Sequence, residues 1–184
     1  MNFEKFTEKS LLALRGAQEY AASLSNASVE ECHILHALFS DADGLIPEVI
    51  KSVDIDPSKI LNSLRNICEG HPKISGSGYS ENRLYLSAGA ERLLRDAERE
   101  MEKMGDEYLS VEHIMLSSFD SKDKHISDIY KDNNLKRNDF LNALKKIRGN
   151  KKVVNETPEA GYNVLEKYGH DLVKEAREHK LDPV

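Results

Sequence analysis

Cys32, His33 and His36 stand within one helical turn of each other and are the nearest approach in this chain to a metal-binding set, because thiolates and imidazoles are the ligands structural zinc uses. Shifting the sequence by 80 positions places Glu112, His113 and Leu116 on these three residues, so only the histidine is retained. A histidine that recurs without its co-ligands reads as a residue that packs and hydrogen-bonds locally, and no metal site is assigned. The acidic pairs Glu30-Glu31 and Asp106-Glu107 fall near expected helix amino termini, where a carboxylate is stabilised by a few tenths to about 1 kcal/mol. Nothing beside them asks for a general acid. The chain carries no Gly-x-x-x-x-Gly-Lys-Ser/Thr phosphate loop, no Gly-x-Ser-x-Gly elbow and no His-Glu-x-x-His zinc helix. No catalytic residue is assigned, and the chain reads as a non-enzymatic domain with no cofactor of its own.

The same 80-residue shift exposes the elements that position these side chains. Residues 7–68 laid without a gap on 87–148 give 13 identities in 62 positions, several times the chance level. Leu14, Ala17, Ala21 and Leu24 fall on Leu94, Ala97, Met101 and Met104, and His33-Ile34-Leu35 on His113-Ile114-Met115. Ile60-Leu61-Asn62 falls on Phe140-Leu141-Asn142. The chain is a tandem duplication, and each copy reads as four helices. The first carries apolar residues at steps of three and four, the spacing that lines one helical face, with Thr7 and Ser87 as its N-caps. The second follows Ser28-Val-Glu-Glu31, a capping-box pattern, and Ser110-Val-Glu-His113. A short third helix spans about 45–52 and 125–132. The fourth opens on Asp56-Pro57 in the first copy, an N-cap followed by proline at the first helical position.

The fold class expected is all-α: two pseudo-symmetric tandem four-helix repeats over 1–149, joined by a loop at 70–83. Residues 150–184 then form a linker and a further helix, opened by Thr157-Pro158 and carrying Leu165, Tyr168, Leu172 and Ala176. The ending Leu181-Asp-Pro-Val reads as an interruption, with more chain expected beyond it.

Composition narrows the function. Apolar residues at 39% and charged residues at 32% describe a well-solvated globular chain, and the formal charge of −6 argues against a nucleic-acid partner, whose phosphates require a basic face. The basic run Lys145, Lys146, Arg148, Lys151 and Lys152 sits at an expected helix end, where cations suit the dipole. The amino terminus lacks a signal peptide's apolar run, and no stretch approaches the roughly 18 apolar residues of a membrane span. Two cysteines without a framework fit a reducing cytoplasm.

Thr7-Glu-Lys-Ser10 followed by Ala13-Leu14 and Ala17-Gln18, with Glu-x-x-His-Ile-Leu-x-Ala-Leu over Glu30–Leu38 and Leu109-Ser-Val-Glu-His-Ile-Met115 in the second copy, resembles the Clp amino-terminal repeat. The tail, Pro158-Glu-Ala-Gly-Tyr162, Leu165-Glu-Lys-Tyr-Gly-His-Asp-Leu172 and Lys180-Leu-Asp-Pro-Val184, is similar to the stretch leading into the first ATPase module of ClpB-type AAA+ disaggregases. The resemblance implies a domain that captures unfolded or aggregated polypeptides in an apolar groove between the repeats. The intact protein would then be a hexameric, ATP- and Mg-dependent motor working with the DnaK system; with no obvious oligomerisation seam in its sequence, this chain alone is expected to be a monomer. Carried over position by position, the resemblance implicates Thr7, Asp106 and Glu112 in substrate handling, with Leu94 at a matching apolar position of the groove; Tyr108, an aromatic near an expected helix end, is a further binding candidate read from its place in the sequence. Glu100 and His113 stand where some relatives carry leucine. The alternative implied by the same repeat is an adaptor-docking domain of the ClpC/ClpA type.

Overall fold

The computed structural model describes residues 3–74, 85–149 and 151–158. Among them are eight α-helices and no strand: α1 (Glu8–Ser23), α2 (Glu31–Ser40), α3 (Leu45–Ser52), α4 (Pro57–Gly70), α5 (Ala88–Met104), α6 (Val111–Ser118), α7 (Lys124–Asp132) and α8 (Arg137–Arg148). The helix expected after Thr157-Pro158, and residues 75–84 of the joining loop, lie outside the described residues. No helix among the described residues is long and apolar enough to cross a membrane.

The helix starts follow from local chemistry. Thr7 and Ser87 cap α1 and α5 by accepting the backbone N–H of Ser10 and Ala90 at 3.3 and 3.1 Å, which satisfies amides the helix itself leaves open. Asp56 caps α4 through the Ser58 N–H at 2.9 Å, with Pro57 in the first turn. The second helices differ from the expected Ser28–Glu31 box. Their N-caps are Glu30 and Ser110, and the reciprocal partner three residues on is His33 or His113, whose Nδ1 accepts the N-cap amide at 2.9 and 3.0 Å. An imidazole nitrogen thus does what a carboxylate usually does in this motif, because the repeat aligns Glu30, not Ser28, with Ser110. Ser28 instead donates to Glu30 Oε1 at 2.6 Å.

Within the first copy α2 packs on α1 and α4; within the second α6 packs on α5 and α8. Across the seam α2 meets α5 and α1 meets α6, while α3 meets α8 and α4 meets α7. Exchanging the copies turns each member of these pairs into the other, so the two copies are related by a pseudo-twofold. The segments ahead of α1 and α5 make the relation explicit. Thr7 N–H donates to the Leu109 carbonyl at 3.0 Å and Leu109 N–H to the Lys5 carbonyl at 2.6 Å; Ser87 N–H donates to Val29 and Val29 N–H to Tyr85 at 3.0 and 2.9 Å. Each copy therefore completes backbone bonding that the other leaves open. One continuous core results, with Ile34, Leu35, Ile60 and Leu64 of one copy and Ile114, Met115, Phe140 and Leu144 of the other fully buried.

Candidate functional site

The exposed face of α1 carries two leucines, Leu11 and Leu12, at 41 % and 56 % exposure. Leu12, Ala13, Gly16 and Tyr20 form one wall of a cavity of about 730 Å³. Ala37 and His36 of α2, Leu45 and Ile46 of α3, and Val111 of α6 supply the rest, and Thr157 touches its edge. Glu8, Lys9, Asp41, Asp43 and Glu48 give it a mostly acidic rim, spanned on one side by a Lys9–Asp41 ion pair at 2.9 Å. Small residues shape it: a Cβ on Gly44 would come within 2.9 Å of the Asp41 carbonyl, so the turn into α3 closes only on glycine. The His36 ring stacks on Tyr20, centroids 4.0 Å apart and planes 11° from parallel. Burial, with the Arg65 charge nearby, lowers the His36 pKa to about 4, so this ring is uncharged at neutral pH.

The duplicated place in the second copy is lined by different residues. Glu91 and Arg92 stand where the first copy has Leu11 and Leu12, and Glu31 stands where the second copy has Val111. Glu31 reaches across the seam: its Oε2 accepts from Ser121 Oγ at 2.5 Å, and its Oε1 lies 2.8 Å from where a Cβ on Gly89 would sit. Burial raises the Glu31 carboxyl pKa, with the Ser121 hydroxyl opposing. Where the first copy has an apolar wall, the second has a buried carboxylate. The missed signal was in the sequence: on a solvated helix face, two leucines of one copy replace Glu91 and Arg92 of the other.

Beneath this surface each copy holds a buried polar cluster at equivalent positions. In the second, Asp106 receives His113 Nε2–H at 2.9 Å, the Val153 amide at 2.9 Å and the Arg148 guanidinium, which also lies 3.6 Å from Glu112. Burial alone would raise the Asp106 carboxyl, but the His113, Arg148 and Val153 hydrogen bonds outweigh it and hold it at about 2. Arg148 is therefore more than a helix-end cation; it turns inward. In the first copy the corresponding residues are Asn26, His33, Cys32 and Cys68, all buried. His33 Nε2–H donates to Asn26 Oδ1 at 3.0 Å, and Asn26 Nδ2 donates to the carbonyls of His71 and Pro72. The thiols of Cys32 and Cys68 and a ring nitrogen of His33 lie within 4.8 Å of one another, so the spatial neighbour of Cys32-His33 is Cys68, not His36.

Of the five expected binding residues, Asp106 and Glu112 are drawn together by Arg148. Thr7 is buried and bonded to Ser10 Oγ at 2.7 Å, whose hydroxyl in turn donates to the Leu109 carbonyl. Leu94 is a core residue, and Tyr108 is half-buried, its amide on the Val153 carbonyl. None of the five lines the cavity, although Thr7 and Glu112 are chain neighbours of Glu8 and Val111, which do. Glu100 is buried between Arg137 and Lys103 at 2.6 and 2.8 Å.

Residues 5–133 match the Clp repeat (R) N-terminal domain family. Over all 184 residues the chain is 34% identical to the chaperone protein ClpB of Bacillus anthracis, and 33% to that of Clostridium tetani. It spans about a fifth of their length, 21% in each case. Among solved structures it resembles the Hsp104 N-terminal domain from Candida albicans, with a TM-score of 0.72 at 18% identity, covering 84% of this chain and 98% of that one. The N-terminal domain of ClpD from Arabidopsis thaliana aligns with a TM-score of 0.61 at 23% identity, over 79% of this chain and 96% of that one. The all-helical duplicated fold and the sequence similarity agree: the chain belongs to the Clp repeat N-terminal domain family and corresponds to the amino-terminal region of ClpB-type chaperones.

Proposed function

We propose that this domain captures exposed apolar segments of unfolded or aggregated polypeptides for a ClpB-type disaggregase. The observation that carries the reading is the open groove on α1, α2 and α3, with Leu12 exposed at its lip. Such a groove accepts an apolar side chain without demanding one sequence, and its acidic rim favours segments flanked by basic residues. Thr7, Asp106 and Glu112 act from below: they fix the start of α1 and the seam that carries Val111. Leu94 and Tyr108 support the same seam. The intact protein would be an ATP- and Mg-dependent hexamer working with DnaK in the cytoplasm, to which this domain delivers clients.

The test is a titration of the chain with a carboxymethylated, permanently unfolded polypeptide, followed by NMR. Amide shifts around Leu12, Gly16 and Ile46 are expected, and weakening of about tenfold or more on Leu12→Asp, since burying a leucine is worth about 1.5–3 kcal/mol. An unchanged Kd for Leu12→Asp would remove the groove from the reading. Tight binding of one folded partner, with no binding of unfolded chains, would favour adaptor docking instead.

A further inference from the structure

Cys32 and Cys68 are the only cysteines in the chain, they come from different helices, and both are buried against each other and His33. Their equivalents in the second copy, Glu112 and Arg148, form an ionic contact between α6 and the end of α8. From this pairing we infer that Cys32 and Cys68 are a thiol–disulfide modification site, which a hydroperoxide closes into a covalent link between α2 and α4.

The tautomer of His33 decides between this and a metal site. The Glu30 amide donates to His33 Nδ1 at 2.9 Å, so Nδ1 carries no proton and Nε2 does. That Nε2–H points at Asn26 Oδ1 at 3.0 Å. A metal ligated by the ring would need a bare Nε2 and a protonated Nδ1, and the proton on Nδ1 would then oppose the Glu30 N–H. With its one proton committed to Asn26 and its bare nitrogen to the Glu30 amide, the ring has no lone pair free for a zinc ion. Hydrogen bonding from the Cys32 thiol lowers the Cys68 pKa against the opposing effect of burial, while Cys32 is raised by the same hydrogen bond and by burial. Cys68, whose chain neighbour Ile67 lines a surface depression, is assigned as the attacking sulfur and Cys32 as the resolving one. Cys68 lies in the last turn of α4, and the depression beside it is formed by Asn66, Ile67, Gly70, His71 and His125.

The Cys68 thiolate attacks one peroxide oxygen, the O–O bond breaks, and the departing hydroxide is protonated to water, leaving Cys68 as a sulfenic acid. Cys32 sulfur then attacks the Cys68 sulfur, the S–O bond breaks, and the Cys32 proton leaves with the hydroxide as a second water. Two thiols lose two electrons and one peroxide gains them. An external dithiol reverses the change.

The experiment treats the folded chain with hydrogen peroxide, quenches with catalase, denatures in N-ethylmaleimide and reads the intact mass and the non-reduced peptide map. The expected product has lost two hydrogens, takes up no maleimide, links the Cys32 and Cys68 peptides within one chain and reverts in dithiothreitol. Its Tm should rise by roughly 5–15 °C, the effect of closing a loop of this size in a domain of this size. Cys68→Ser should take up one maleimide after the same treatment and show no rise; the wild-type result stands whether or not this variant folds. Two maleimides on peroxide-treated wild type, or sulfinic acid without a cross-link, would overturn the proposal. So would stoichiometric zinc in the purified chain that keeps both thiols from reacting.

Discussion

The two buried clusters solve one problem in two ways. Each stands where the loop before the second helix meets the end of the fourth, and each is organised by a capping histidine that hands its Nε2 proton to the residue seven positions earlier. In the second copy that acceptor is a carboxylate, so a guanidinium must neutralise it; in the first it is the neutral Asn26, and two thiols suffice. Removing one member of a buried ionic set leaves the others uncompensated. Arg148→Met should therefore lose about 3–5 kcal/mol in urea unfolding, while the triple change Asp106→Asn, Glu112→Cys, Arg148→Cys, which installs the first copy's set, should lose much less. Additive losses across the three positions would refute this account. Asp106 also shapes the acid limb. Its folded pKa of about 2 lies below the ordinary value, so its contribution is present above about pH 4 and is lost as the pH falls toward 2. His36 acts higher on the scale. Its folded pKa of about 4 lies below 6.5, so the unfolded chain takes up the proton first and stability falls as the pH drops from 6.5 toward 4. His36→Leu, the residue of the second copy, should flatten that stretch of a Tm-versus-pH curve.

At the scale of elements, α1 has two tasks that its counterpart α5 does not combine. Both helices are capped by a side-chain hydroxyl, so Thr7→Ala and Ser87→Ala should each cost about 1 kcal/mol, measured by chemical denaturation. Thr7→Ser keeps the capping oxygen; it should preserve stability and client binding together if Thr7 works by placing α1. Only α1 carries leucines on its outer face. Leu12→Asp should leave the urea midpoint nearly unchanged, because the side chain is exposed, while weakening client capture; a large loss of stability would mean that Leu12 is structural. The helices themselves were legible in the sequence because capping and apolar spacing are local. Glu30 as N-cap was not, since Ser28 and Glu31 offered an equally good local box and only the cross-copy bonds of Val29 set the register.

At the scale of the molecule, the copies are one folding unit. The Phe6–Leu109 and Val29–Leu86 bridges, the α2–α5 and α1–α6 contacts and the α3–α8 and α4–α7 contacts all cross the seam. Residues 1–74 alone should lack a cooperative thermal transition, whereas the full chain should unfold in a single step; two separable transitions in calorimetry would show the copies to be independent. The duplication, the four helices of each copy and the family could be read from residues alone, because apolar periodicity, caps and an 80-residue self-match are properties of the chain order. The location of the open groove and the partner of each buried group could not. They depend on which copy's residue crosses the seam: Val111 lines the groove, Glu31 stands at the equivalent place across the seam, and Cys68 rather than His36 meets Cys32. Those choices follow from packing two copies about a pseudo-twofold, a relation between positions far apart in sequence that only the tertiary structure brings into contact.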